Sequence, residues 1–176
     1  MLNIEVHSGV YDQYKKDIER LFFNTSAKKE FKNEKEKAEF LFKYLRIYQE
    51  YEGGLFLAAL DQDQNLCGYV CGSEKTMHFS DYMTLHPYYS LFKSYLEDFP
   101  AHLHINVNPE SQGMGVGGML IESFCNTLHV NKATGVHIIT HPLAQNRMFY
   151  KKQHFSFEQV ENYQGHEVLF MGRSLA

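Results

Sequence analysis

The fold is decided by residues 102–118, which read HLHINVNPESQGMGVGG. This pattern predicts a short strand over 102–107, a five-residue turn, a glycine-rich corner and a helix that begins at about Gly115. Glycines at such a corner let backbone N–H groups approach a ligand with no Cβ in the way. The helix presents its free N–H groups and the positive end of its dipole to the same place. The stretch therefore predicts an anion site, and a pyrophosphate is the anion that it fits best.

Two other phosphate-binding patterns fit this corner poorly. The spacing of Gly113, Gly115 and Gly118 matches the dinucleotide fingerprint. That fingerprint, however, needs a strand that runs straight into the first glycine and an acidic residue about 20 positions later. Five residues intervene here, and the first acid after Glu122 is Glu158. A Walker loop needs Gly-Lys-Ser/Thr, which the chain lacks. The glycines could also simply tighten a strand–helix corner, although four glycines in six residues are more than that requires.

A third pattern matches better. Gln112-x-x-Gly115-x-Gly117, preceded by Ile105-x-Val107-x-Pro109, resembles motif A of the GNAT superfamily of N-acetyltransferases. The predicted order of strands and helices resembles that superfamily over nearly the whole chain. Residues 99–105 (FPAHLHI) and 135–138 (GVHI) also resemble bacterial acetyltransferases related to the acetyltransferase-like domain of O-GlcNAcases. The resemblance implies acetyl-CoA as the acetyl donor.

The resemblance also implies roles for individual residues. Backbone groups of Ile105 and Val107 would pair with the pantetheine arm as an extra strand does. Backbone N–H groups from Gly113 to Gly118 would hold the pyrophosphate. The cofactor-binding residues implied in this way are Ile105, Val107, Gln112, Gly113, Met114, Gly115, Val116, Gly117 and Gly118.

A second motif of the superfamily is only partly present. Phe149-Tyr150 matches its Phe-Tyr element, but His154-Phe155 stands where the family has Gly-Phe. The family's asparagine position corresponds to Leu143, and Asn146 comes three residues later. Either the last helix starts late, or the asparagine contact with the cofactor is missing.

The resemblance makes Tyr150 the candidate general acid for the departing thiolate. A phenol with a pKa of about 10 is protonated at pH 7 and can donate a proton. The alternative is an amphipathic tyrosine that closes the edge of the core.

Histidines supply the candidate base. His102 and His104 share one face of a strand, and His137 and His141 are expected to share a face of its neighbour, because side chains alternate along a strand. A neutral imidazole could take the proton of an attacking amine, and we assign this role to His104. Several imidazoles could instead bind zinc, or the histidines could be hydrogen-bonded structural residues. No cysteine or carboxylate lies at ligand spacing, so no metal site is predicted.

Composition narrows the class of protein. The chain has 176 residues and a net charge of -4, which fits one domain and gives no global basic field for nucleic acid. Lysines between positions 28 and 37 alternate with glutamates, which indicates a solvated helix face. Three cysteines are too few, and odd in number, for a disulfide framework. No apolar stretch approaches the length of a membrane span. We therefore expect a cytoplasmic location, with no nucleic-acid or membrane partner.

The predicted fold is a mixed α/β domain over residues 1–176, with a central twisted sheet and helices on both faces. Its element order is β-α-α-β-β-(helical insert 77–99)-β-α-β-α-β-β. Strands are predicted at 2–7, 55–60, 66–72, 102–107, 135–140, 155–160 and 167–171, and helices at 11–23, 38–51, 115–128 and 142–152.

The function implied is direct transfer of acetyl from acetyl-CoA to a primary amine on a small molecule or peptide. The alternatives are a catalytically weak or inactive module of the same fold that binds acetyl-CoA or a protein, and, less well supported, a metal-binding protein.

Overall fold

The computed structural model describes residues 4–79 and 81–175, so Leu2 and Asn3 of the first predicted strand lie outside the described residues. The strands are β1 (Ile4–Ser8), β2 (Gly54–Asp61), β3 (Leu66–Ser73), β4 (Ala101–Val107), β5 (Gly135–Thr140), β6 (Phe157–Tyr163) and β7 (His166–Ser174). The α-helices are α1 (Tyr11–Thr25), α2 (Glu34–Leu41), α3 (Ile47–Glu50), α4 (Tyr82–Leu85), α5 (Val116–Val130) and α6 (Arg147–Lys152).

The strands form a mixed sheet in the order β1-β2-β3-β4-β5-β7-β6. β4 and β5 are parallel, with His102 opposite His137. The pairs β1–β2, β5–β7 and β6–β7 are antiparallel. Two parallel strands need a crossover connection, and α5 provides it. The predicted α/β class, element order and strand–helix–strand segment are confirmed.

The chain divides into two compact units. Unit 1 contains the residues up to Gly72 and the segment His104–Phe124, and unit 2 contains Ser73–Leu103 and the residues from Cys125 onward. The largest fully buried side chains of unit 1 are Ile18, Leu45, Ile47, Tyr69, Leu120, Ile121 and Phe124. Those of unit 2 are Phe79, Tyr82, Phe92, Phe155 and Phe170. Each unit thus has an apolar core, and the single domain over 1–176 stays a prediction.

The first helical region departs from its predicted bounds. Asn33 caps α2, because its side-chain oxygen accepts a hydrogen bond from the Glu36 backbone N–H. The helix predicted over 38–51 therefore begins four residues earlier, at Glu34. Residues Phe42–Arg46 form a π-helical turn between α2 and α3. The predicted helix over 38–51 is thus interrupted by a wider turn.

The aromatic insert over 77–99 packs into a core. It contains α4 and a long 3₁₀ segment, Pro87–Tyr95, and it buries Phe79, Tyr82 and Phe92 almost completely. Its aromatic residues therefore serve mainly as core. No helix within 4–79 or 81–175 is long and apolar enough to cross a membrane.

Candidate active site

The glycine corner of unit 1 lies between a strand and a helix, as predicted. β4 ends at Val107, a short 3₁₀ turn covers Pro109–Ser111, and α5 begins at Val116. Asn108 holds this turn: its side-chain oxygen accepts from the Glu110 N–H, and its own N–H donates to the Cys67 carbonyl at 2.8 Å. The segment 112–115 therefore lies exposed between a fixed strand end and a 15-residue helix.

Two glycines of the corner adopt a backbone conformation that disfavours other residues. Gly113 has φ +79° and Gly115 has φ +85°, in the left-handed region where a Cβ is disfavoured. Apart from the adjoining residues of the chain, no atom of the described residues lies within 4 Å of the place where a Cβ would stand on either glycine. Packing therefore does not require glycine at these two positions, but the positive φ does. The space in front of both residues is open. An open, Cβ-free backbone at a helix N-terminus fits a phosphate group.

The other predicted cofactor residues occupy the same segment of unit 1. Gly117 and Gly118 lie in the first turn of α5, and neither has a positive φ. Ile105 and Val107 are partly exposed strand residues. The Gln112 side chain is exposed, and its Nε2 donates to the Val107 carbonyl over a long 3.5 Å. Met114 is 51% exposed.

His104 lies on β4 near two tyrosine rings. The rings of Tyr44, from the π-helical turn, and of Tyr48, from α3, each have their centroid 5.9 Å from that of His104. Desolvation by these surroundings lowers the pKa of His104 to about 4. The imidazole is therefore neutral at pH 7, as a proton acceptor must be. Its basicity is low for that role, because general bases work best with a pKa near the operating pH.

A polar network next to His104 was missed by the sequence analysis. Asn106 stands two residues further along β4, on the same face as His104. Its Nδ2 donates to the Tyr69 hydroxyl at 2.7 Å, and its Oδ1 lies 2.7 Å from the Thr25 hydroxyl. Strand alternation could have indicated Asn106, but its partners come from distant parts of the sequence.

Tyr150 lies in unit 2, near the end of α6. The side chain is 6% exposed, and its ring packs edge-on against Phe155 at 5.5 Å. Burial raises the pKa of its hydroxyl well above the usual value near 10. The phenol therefore keeps its proton throughout the physiological pH range. This protonation state is that of a proton donor and equally that of a core tyrosine, and the raised pKa makes the phenol a weaker acid.

The residue after α6 keeps a conformation that glycine normally supplies. His154 has φ +66°, although it is not a glycine. This turn lets the Phe155 N–H donate to the Tyr150 carbonyl at 3.1 Å, which closes the end of the helix. The second motif therefore lacks its glycine, but the turn that this glycine normally forms is present. The helix starts late, at Arg147, and Asn146 Oδ1 accepts from the Thr140 hydroxyl at 3.3 Å.

An ion cluster ties α6 to β6. Glu158 accepts two hydrogen bonds from the Arg147 guanidinium, at 2.8 and 2.9 Å, and lies 3.1 Å from the Lys151 ammonium. Arg147 also donates to the Pro142 carbonyl at 3.3 Å. The hydrogen bonds from Arg147, aided by Lys151, lower the pKa of Glu158 to about 2. The helix that carries Tyr150 is thus held at its first and second turns by one carboxylate.

In the variant Glu158→Gln, Tm is expected to fall less between pH 7 and pH 2 than it does in the wild type. The pKa of Glu158 is lower in the folded chain than in the unfolded chain, where it is about 4.3. The carboxylate therefore contributes fully to folding stability above about pH 4.3, and this contribution is lost as the pH falls toward 2. The measurement is the Tm from pH 7 to pH 2. Glu167→Gln is the control, since Glu167 is exposed and has no ion-pair partner within the described part of the chain. Equal pH profiles for both variants would contradict the expectation.

The other histidines of the sequence analysis lie in unit 2. His102 is buried with its Nδ1 2.7 Å from the Thr76 hydroxyl, and His137 is buried with its Nδ1–H donating to the Phe99 carbonyl at 2.7 Å. The prediction that His141 shares a strand face with His137 is wrong, because β5 ends at Thr140. His141 instead accepts a hydrogen bond from the Leu143 N–H in the following turn. No group of three potential metal ligands occurs within 4–79 and 81–175.

Solved structures with a similar fold were found along the full length of the chain. SsHAT has a TM-score of 0.76 at 20% identity, with 99% of both chains covered. A protein assigned to the GNAT acetyltransferase family from Desulfovibrio desulfuricans has a TM-score of 0.68 at 17% identity, with 99% of this chain and 100% of that chain covered. The chain has the GNAT acetyltransferase fold.

The same fold is shared with a protein of stated substrate. A variant of spermidine N-acetyltransferase SpeG from Vibrio cholerae has a TM-score of 0.63 at 16% identity, with 98% of this chain and 94% of that chain covered. No family profile and no curated protein sequence matches the chain. The identities are low, so the GNAT likeness establishes architecture, and the chemistry must be argued from the residues.

Proposed function

We propose that this chain is an acetyl-CoA-dependent N-acetyltransferase that acts on a primary amine. The observation that carries the proposal is the glycine corner, where Gly113 and Gly115 leave open backbone at the N-terminus of α5. The likeness to GNAT structures supports the same donor. The closer likeness to the O-GlcNAcase-related group rests on residues 99–105 and 135–138 alone. A cytoplasmic location remains part of the proposal.

The residues divide the work as follows. Backbone N–H groups from Gly113 to Gly118 hold the pyrophosphate, and backbone groups of Ile105 and Val107 align the pantetheine arm. Acetyl-CoA supplies an acetyl group already activated as a thioester. His104, neutral at pH 7, accepts the proton of the amine directly or through water. As the amine nitrogen bonds to the acetyl carbon and the C–S bond breaks, Tyr150, protonated at pH 7, would donate its proton to the thiolate sulfur. Backbone N–H groups would polarise the carbonyl oxygen.

Cofactor binding is tested by thermal unfolding. A ligand that binds only the folded chain stabilises it by about 2.7 kcal/mol at 100 times its Kd. For a chain of this size, that free energy corresponds to a rise in Tm of roughly 5–10 °C. Acetyl-CoA is expected to produce this rise, whereas NAD and ATP are not. An equal rise with NAD would favour the dinucleotide fingerprint instead.

The second candidate function is a module of the same fold that binds acetyl-CoA without turnover. The low pKa of His104 favours it, because an imidazole with a pKa of about 4 is a weak base. Release of free thiol from acetyl-CoA against a panel of amines separates the two functions. Turnover with any amine supports the enzyme, and tight binding without turnover supports the module.

His104 also gives a pH signature. If His104 accepts the amine proton, kcat/KM calculated for the free amine should show its acid inflection near pH 4 and none between pH 5.5 and 7.5. His104→Ala should lower kcat by roughly 10²-fold, the lower end of general acid–base effects. His7→Ala, on β1 of the same unit, is the control. Unchanged kcat in His104→Ala would remove the assignment.

A further inference from the structure

A cavity in unit 1 shares no residue with the segment 105–118. Its volume is about 470 Å³, and its walls come from the end of α1, the loop that follows and the first turns of α2. The alternation of lysines and glutamates predicts a solvated helix face in this region. That prediction is wrong for Lys28, Lys29 and Lys32, which lie in the loop before α2. Lys28, Lys29 and Lys37 line the cavity.

Hydrogen bonds or an ion pair hold two of the three ammonium groups, and the third lies near an aromatic ring. Lys29 donates to the carbonyl oxygens of Phe23 and Asn24 at 3.1 and 2.7 Å, at the end of α1. Lys28 pairs with Glu36 at 2.8 Å, and its Nζ stands 5.1 Å from the centroid of the Phe31 ring. The Nζ of Lys37 stands 5.2 Å from the centroid of the Phe23 ring. Groups held in this way lose less conformational entropy when a ligand binds.

The cavity is positive although the whole chain is negative. Four basic residues and one acidic residue, Glu34, line it, while the net charge of the chain is -4. Arg20 pairs with Asp17 outside the lining, as Lys28 does with Glu36. Among the described residues, no carboxylate lies within 4 Å of the ammonium groups of Lys29 or Lys37. Lys29 and Lys37 therefore give the cavity an excess of positive charge, which attracts anionic ligands.

Two aromatic rings add an apolar surface to this charge. Phe23 and Phe31 both line the cavity, both are partly exposed, and their ring centroids lie 5.9 Å apart in an edge-to-face arrangement. The volume falls within the range of small-molecule sites. Cations beside partly exposed aromatic rings suit a ligand that carries both an anionic group and a ring.

We propose that this cavity binds a small aromatic anion, a phosphate or carboxylate carried on a planar ring. The ammonium groups of Lys28, Lys29 and Lys37 contact the anionic group, and the rings of Phe23 and Phe31 contact the planar ring. The site is separate from the glycine corner, and it does not depend on the proposed acetyl transfer.

The test is ligand titration of the full chain, followed by the backbone amide signals in NMR spectra. Phenyl phosphate and benzoate are the two aromatic probes and distinguish a phosphate from a carboxylate ligand. Inorganic phosphate carries the charge without the ring. At least one aromatic probe should bind saturably, shift the signals of residues 23–37 and weaken with added salt. Inorganic phosphate should bind less tightly.

The double variant Lys28→Gln/Lys37→Gln should weaken that binding about three- to tenfold, as expected for the loss of two exposed charge contacts. Lys35→Gln is the matched control, because Lys35 is exposed on α2 and does not line the cavity. Gly115→Val should bind the probe normally, whether or not it binds acetyl-CoA. The proposal is overturned if no aromatic probe shifts residues 23–37 up to roughly 10 mM. Equal affinity in the double variant, or equal affinity for inorganic phosphate, also overturns it.

Discussion

Gly115→Val is expected to weaken acetyl-CoA binding by at least about a hundredfold, roughly 2.7 kcal/mol, while the chain stays folded. A valine at φ +85° is strained by about 1–3 kcal/mol, and its branched side chain would fill the open space that we assign to the pyrophosphate. Isothermal titration calorimetry measures the affinity, and circular dichroism shows whether the variant is folded.

Gly165→Val is the matched control for backbone strain. Gly165 lies in the turn between β6 and β7, also has φ +85°, and also has no atom within 4 Å of its Cβ position. Both variants should lose similar stability, but only Gly115→Val should lose affinity. If a folded Gly115→Val chain binds acetyl-CoA as tightly as the wild type, the corner is structural and the proposed donor site is wrong.

Tyr150→Phe is expected to lower kcat by about 10²–10⁴-fold, the usual contribution of general acid catalysis. The substitution removes one hydroxyl and almost no volume from a side chain that is 6% exposed. The affinity for acetyl-CoA should barely change, because the proton matters mainly as the thiolate develops. Steady-state kinetics with an accepted amine, together with calorimetry, separate the two effects.

Tyr95→Phe controls for the loss of a tyrosine hydroxyl in the same unit. Tyr95 is partly exposed, and its ring packs against Phe157 at 5.1 Å. This variant should keep full kcat. Full kcat in Tyr150→Phe would instead show that Tyr150 is a core residue and that the thiolate is protonated by another group or by solvent.

The strand–helix–strand segment could be predicted from the sequence because its signals are local. Alternation in 102–107, the glycines at 113 and 115 and the apolar stripe after Val116 all act within a few residues. The start of α2 was missed because Glu34 to Lys37 are all charged and show no apolar period. The π-helical turn was also missed, since the apolar residues around it fit an ordinary helical period.

The environment of the candidate base could not be predicted, because its parts are distant in sequence. His104 could be placed on a strand face, but its pKa of about 4 depends on surroundings that include Tyr44 and Tyr48, more than fifty residues earlier. At His154, by contrast, the sequence suggested a larger departure from the family than the structure has. The glycine of the motif is replaced by a histidine, but the backbone keeps the left-handed turn.

The π-helical turn Phe42–Arg46 allows this helical segment to lose one residue without losing its packing. Such a turn is equivalent to one extra residue inserted into an α-helix. Deleting one residue between positions 42 and 46 would restore regular winding and leave the phase of the flanking turns unchanged, whereas a deletion within regular α-helix rotates one flank by about 100° relative to the other. Tyr48, on the flank that follows the turn, would then still lie near the imidazole of His104. Homologues that lack one residue in this turn should therefore still bury the histidine at this position.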